Sequence, residues 1–172
     1  MSAASAMWET KADRRYLAAW FPYLPADRIL RNTSAGARDK ADEPLPLVLV
    51  EKVKGASCIV AVSRAARRAG LAPGLTLADA RARIPQLWVE EMDRQADADL
   101  LDAMAEDCDR VTPIITVDAP DGLVLDITGC GHLFGGEAGL RAGLSKRFRR
   151  AGLNVRTVRS EERRVGKECT IQ

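Results

Sequence analysis

Three aspartates lie within one short stretch of this sequence, Asp118, Asp121 and Asp126. Phosphate-transfer enzymes that use two Mg²⁺ ions need two or three carboxylates converging on the metals from adjacent strands. Asp118 and Asp121 fall in Asp118-Ala119-Pro120-Asp121-Gly122, and turn chemistry explains them there better than metal binding does. Asp121 and Asp126 are an odd number of residues apart, so a regular strand would point them to opposite faces. Two arginine-rich groups could grip phosphates: Arg64, Arg67 and Arg68 with Arg81 and Arg83, and a later set of Arg141, Lys146, Arg147, Arg149 and Arg150. The plainer reading of both is a solvated helix surface, and residue type alone favours it.

Other chemistries find little support. Cys58, Cys108, Cys130 and Cys169 are widely separated, and the only histidine, His132, sits near Cys130 on a Gly-rich turn. A closed zinc site needs four N/S ligands, usually in close pairs, so inert roles are expected for these residues. With one histidine and no G-x-S-x-G, a hydrolase triad is not expected either.

The elements that would have to position these groups follow from patterning. Arg14 to Phe21 reads as a buried strand, ending at Phe21-Pro22-Tyr23-Leu24-Pro25-Ala26-Asp27-Arg28, where two prolines deny a strand its ladder donors. Asn32 to Pro44 reads as a loop or weak helix end. Leu45–Glu51 and Ser57–Val62 read as a hairpin. Ser63 should cap a short helix over Arg64–Ala69 that Gly70 ends, and Thr76, with Asp79, should start another that Pro85 stops. Leu87–Glu91 is a candidate strand.

Residues 96–109 carry Leu100, Leu101, Met104 and Cys108 at helical spacing, opposite an acidic face of Asp97, Asp99, Asp102, Glu106, Asp107 and Asp109 that should be solvated. Ile114–Val117 and Leu123–Ile127 read as strands. Leu140, Leu144 and Phe148 mark a second amphipathic helix with Gly152 as its stop, and Leu153–Thr157 starts a last strand.

This is an α+β pattern. The 172 residues, 47% of them apolar and 29% charged, suit a globular domain with a real core. A net charge of +2 leaves any basic surface to local clustering. No apolar run nears the ~20 residues of a membrane span, and the first ten residues lack a secretory pattern, so a cytoplasmic protein is expected.

The order of the motifs carries more than any one of them. Ala61-Val62-Ser63-Arg64-Ala65-Ala66-Arg67-Arg68 through Arg81 resembles the fingers of Y-family (UmuC/DinB-like) translesion DNA polymerases. Leu125-Asp126-Ile127-Thr128-Gly129 through Gly136 resembles their palm after the second metal motif. Tyr16 to Arg28, with its Trp-Phe-Pro-x-Leu-Pro-x-Asp-Arg stretch, is similar to the ImuB-type branch, polymerase-like accessory subunits of bacterial mutagenesis complexes.

Residues 1–13 are small and polar and read as a frayed leader. The resemblance implies a ferredoxin-like palm over 14–21 and 86–157, fingers over 22–85, and no thumb or little finger. It breaks from about Thr157, and residues 158–172 resemble an assembly scar, so a truncated reading of a longer protein is expected. At the positions of the two first-strand metal aspartates stand Ala18 and Trp20, and the second motif's Asp-Glu pair reads Asp121-Gly122. Tyr23 matches the aromatic sugar gate, with Pro22 beside it as a departure. In the phosphate grip, Arg64 replaces a tyrosine and Arg67 keeps the arginine.

One carboxylate does not hold two metal ions, so neither Mg²⁺ nor another cofactor is expected, and Asp121 and Asp118 remain only weak metal candidates. The resemblance therefore implies a non-catalytic scaffold of DNA repair, translesion synthesis and SOS-induced mutagenesis, nucleoid-associated in a bacterial cytoplasm. Its implied partners are a sliding clamp, a RecA-related accessory protein and an error-prone replicative-type polymerase, with weak DNA binding. The alternatives are an active two-Mg²⁺ translesion polymerase that recruits Asp118 and Asp126, and an unrelated α+β binding module.

Overall fold

The computed structural model describes residues 14–34 and 45–160. Residues of the expected leader, and 161–172 of the expected foreign tail, lie outside them.

Two sheets organise the chain. The first has four antiparallel strands in the order β5-β6-β1-β7: β1 is Tyr16–Trp20, β5 Ile115–Asp118, β6 Gly122–Asp126 and β7 Arg156–Ser160. Helices α4 (Arg94–Cys108) and α5 (Glu137–Arg150) cover one face. The order of strands and helices is the split βαβ arrangement of a ferredoxin-like palm. Alternation along β1 and β6 decides the faces. Leu17, Ala19, Leu123 and Leu125 point inward and are buried with Leu101, Met104, Leu140, Leu144 and Phe148. Phe21 meets Phe148 edge-on, with 5.0 Å between ring centroids. No described helix lies over the other face, which carries Ala18 and Trp20.

The second sheet, β3-β2-β4, is built from β2 (Leu47–Val53), β3 (Ala56–Val62) and β4 (Trp88–Glu91). The expected hairpin forms with a turn at Lys54-Gly55, both at positive φ. Ser63 Oγ accepts the Ala66 N–H at the start of α2 (Arg64–Arg68), and Thr76 Oγ1 accepts the Asp79 N–H at the start of α3 (Leu77–Arg83).

The two prolines end the strand as expected, and α1 follows over Leu24–Ser34, with Pro25 in the first turn, where no intrahelical N–H is required, so Asn32–Ser34 form a helix end. Three expectations need correction. β4, expected in the palm, instead pairs parallel with β2, whose Leu47–Val50 are buried on both faces. The last strand is displaced to Arg156–Ser160, so the expected palm boundary at Thr157 falls inside β7 and residues 158–160 belong to the palm sheet. Asp97, expected on the solvated face of α4, is 5% exposed.

Helix α1 is the seam between the sheets. Ala26 is buried with Leu47 and Leu49 of the second sheet, while Leu24 enters the palm core. Two of its charged residues face the palm. Asp27 accepts the backbone N–H of Asn154 at 2.7 Å and the Asn154 side-chain amide at 2.8 Å. Arg28 Nε donates to Asp97 Oδ1 at 2.6 Å.

Candidate nucleotide cleft

Between the two sheets lies a cleft of about 750 Å³, within the size range of small-molecule sites. Trp20, Tyr23 and Asp121 line its palm side, Val60 and Arg67 its fingers side, and Arg156 its rim. Register places them there. Trp20 ends β1 opposite Gly122 of β6 and Arg156 of β7, so the three sheet positions meet at one end of the uncovered face. Asp121 immediately precedes β6, and its carbonyl accepts the Phe21 N–H at 2.8 Å, which locks the β1 end to the hairpin.

The two expected metal positions on β1 are thus an alanine and an indole. The indole is engaged: Trp20 Nε1 donates to Asp121 Oδ2 at 2.9 Å. The Arg156 guanidinium lies over the Trp20 ring, 5.4 Å from its centroid, at cation–π distance. Gly122 closes the turn tightly. A Cβ there would stand 3.0 Å from the Asp118 carbonyl oxygen and 3.3 Å from its Cβ, so a side chain at this position would require Asp118 to give way by a few tenths of an ångström.

Asp126 lies at the opposite end of β6, roughly 15 Å away at strand rise. It is buried there, accepting the Thr128 N–H with its side chain and the Thr112 hydroxyl with its carbonyl. It is therefore a strand-end capping residue and does not join Asp121 and Asp118. Among the described residues no group of three or more His, Cys, Asp or Glu side chains is placed to hold a metal ion. The donor set does not fit a two-Mg²⁺ centre.

The structure separates the two phosphate-grip positions. Arg67 faces the cleft, whereas Arg64 lines a neighbouring pocket of about 580 Å³ with Arg149, Asn154 and Arg156; Tyr23 lies on the wall common to both. Arg94 also reaches the cleft, but Glu51 holds it with a two-pronged pair at 2.9 and 3.0 Å and favours its charged form. Cys130 and His132 lie at a 3-10 turn, Gly131–Phe134, remote from these groups; Cys108 is buried in the palm core, where desolvation pushes its thiol up to about 11.

Sequence reasoning missed Arg156 and the Trp20–Asp121 bond. Its one signal was weak: an indole at an acid position needs an acceptor when it is half-buried. It also missed that Asp27 and Asp97 are buried. Burial raises both carboxyls above the ordinary value, against the opposing pull of Asn154 on the first and Arg28 on the second.

A ferredoxin-like sheet, a small inserted sheet with two short helices, and a cleft between them have the fold of the N-terminal part of Y-family DNA polymerases. The chain belongs to the impB/mucB/samB (IMS) family, whose model matches residues 36–166. It is 44% identical over 89 residues to protein ImuB of Caulobacter vibrioides, in two strains; the match covers 52% of this chain and 19% of that protein. Among solved structures, an insertion ternary complex of Dbh DNA polymerase matches with a TM-score of 0.69 at 15% identity, over 85% of this chain and 42% of that one. DinB from Sulfolobus solfataricus matches with a TM-score of 0.64 at 16% identity, over the same shares. The chain thus spans about a fifth of the ImuB relatives and under half of the polymerases whose fold it shares.

Proposed function

We propose that this chain is the palm-and-fingers part of an ImuB-type scaffold, a protein that takes part in translesion synthesis and induced mutagenesis without transferring nucleotides itself. One observation carries the reading: the indole at the second metal position donates its N–H to the only metal-motif acid retained in the cleft. An active centre aims two or three free carboxylates at the ions that stabilise charge on the attacking and leaving oxygens. Here the single acid accepts a neutral N–H, with a guanidinium 5.4 Å from the same indole. Losing the two metal ions removes several kcal/mol of transition-state stabilisation, on the order of 10³-fold or more in rate.

The cleft then keeps the shape of a nucleotide site, with Tyr23 and Arg67 on its walls, and lacks the means to hold the ions. The likeness to ImuB supports the associated proposals: a sliding clamp, a RecA-related accessory protein and an error-prone replicative-type polymerase as partners, in a bacterial cytoplasm. No described helix is long and apolar enough to cross a membrane.

Primer extension with the purified chain, a primed template, all four nucleotides and Mg²⁺ or Mn²⁺ tests the reading. No incorporation above a protein-free control is expected. Metal-dependent extension abolished by Asp121→Ala would establish the active-polymerase alternative instead.

A further inference from the structure

The first sheet keeps one face that no described helix covers. Alternation turns Leu17 and Ala19 into the core, so Tyr16, Ala18 and Trp20 stand on the other side. Register carries that face across all four strands. Ala18 pairs with Val124 of β6 and Val158 of β7, and Val124 pairs with Thr116 of β5. Thr157 meets Ser145 of α5 at 3.2 Å, so its neighbour Val158 points away from the helices.

The row Thr116–Val124–Ala18–Val158 contains no charged side chain. Val158 is 60% exposed, and Ile114, two residues before Thr116 on the same side, is 58% exposed. Single exposed apolar residues are ordinary, but a row joined by register is a patch. Ala18 makes it continuous, because an acid at that position would divide it. A sheet buries an apolar face by packing another layer against it.

We propose that this face is a docking surface for one amphipathic helix of a partner protein. Three properties select that occupant. Strands about 4.8 Å apart put the ends of the row about 14 Å from one another, close to the ~10–12 Å diameter of a helix. Strand rise and spacing give the face roughly 300 Å², well short of the ~800 Å² per partner of a stable dimer, so a second copy fits poorly. Charge is divided across it: Asp118 stands on the β5 side of the Gly122–Trp20 pair and Arg156 on the β7 side. A helix with an apolar stripe, a basic flank toward β5 and an acidic flank toward β7 complements all three. Nucleic acid does not, since the row offers no cation to a phosphate. A helix over Ala18 and an ion centre there exclude one another, so the proposal rests on the scaffold reading.

The probe is a labelled, lactam-locked peptide of about fourteen residues, four helical turns. It carries a leucine stripe with lysines on one flank and glutamates on the other, and fluorescence anisotropy follows its binding to the full chain. Saturable binding is expected. Val158→Lys and Thr116→Lys should each weaken it roughly tenfold or more, since either sets an unpaired charge under the stripe. Both positions are exposed, so the core is left untouched. Leu133→Lys, on the 3-10 turn and 69% exposed, should leave affinity within about twofold. No saturation by about 1 mM peptide would overturn the proposal. Equal binding by an unlocked version with a central proline would do the same, because the face would then take an extended chain. So would a dimer in sedimentation that Val158→Lys dissociates, which would give the face to a second copy. Primer extension by the same preparation judges the scaffold reading separately: a chain that neither extends primers nor binds the peptide would sink the docking face alone.

Discussion

The seam at α1 and the cleft between the sheets use acidic residues in opposite ways. At the seam, Asp27 and Asp97 are buried, and each is met by a dedicated partner from a distant part of the chain: Asn154 for the first, Arg28 for the second. In the cleft, Asp121 is partly open to solvent and accepts a neutral indole N–H, and β1 carries no acid at all. An active polymerase centre would invert this, keeping its most demanding carboxylates in the cleft. In this chain the demanding ones hold the palm to the fingers. The shape of a polymerase core can thus be retained by seam contacts that owe nothing to the metal site.

That contrast is easiest to break at the seam. Arg28→Met removes the partner of a carboxylate that is 5% exposed and whose Oδ2 already has no hydrogen-bond partner among the described residues. It should cost about 3 kcal/mol, since an unpaired buried charge is worse than no charge. Urea denaturation followed by circular dichroism would read this as a lower midpoint with an unchanged slope. Asp27→Ala leaves the Asn154 backbone and amide donors without their acceptor and should cost about 2 kcal/mol by the same measurement.

The pH dependence sharpens the comparison. Burial raises Asp27 and Asp97 above the ordinary 3.8. The folded chain therefore holds these protons more tightly than the unfolded one. Their contribution to stability is greatest below 3.8 and falls as pH rises through the raised values. In Asp27→Asn that downward component should shrink, seen as a less negative change in urea midpoint on moving upward from about pH 4. An unaltered pH profile would mean that Asp27 titrates as an exposed acid does.

The smallest effect belongs to the cleft. Trp20 is 39% exposed, so Trp20→Phe, which deletes one partly solvated hydrogen bond, should change stability by about 0.5 kcal/mol. A loss as large as that of Arg28→Met would make the Trp20–Asp121 pair a structural strut and erase the difference between cleft and seam.

Local rules make much of the fold legible in the sequence. The caps at Ser63 and Thr76, the stripe Leu140, Leu144, Phe148 and the β2–β3 hairpin are each decided by a few adjacent residues, and each forms where patterning places it. What escapes depends on distant partners. Pro22 and Pro25 speak against a strand but are silent about a helix, and the apolar positions of α1 find their partners in two different sheets, which no local pattern reveals. Asp97 reads as one more solvated acid on α4, and only the fold brings Arg28, 69 residues away, to lie beside it. β4 carries no mark of its sheet, since a parallel partner is chosen by topology. In the site, the reading of Ala18, Trp20 and Gly122 as positions without their acid rests on motif order alone. The contact between Trp20 and Asp121 spans 101 positions and is not.

Titration of the purified chain with Mn²⁺, with free ion followed by electron paramagnetic resonance, addresses the cleft most directly. If Trp20 and Asp121 satisfy one another, no saturable site should emerge at millimolar ion, and Asp121→Ala should leave the titration unchanged. A stoichiometric site abolished by Asp121→Ala would contradict that, and would return this cleft to the metal-dependent polymerases whose fold it shares.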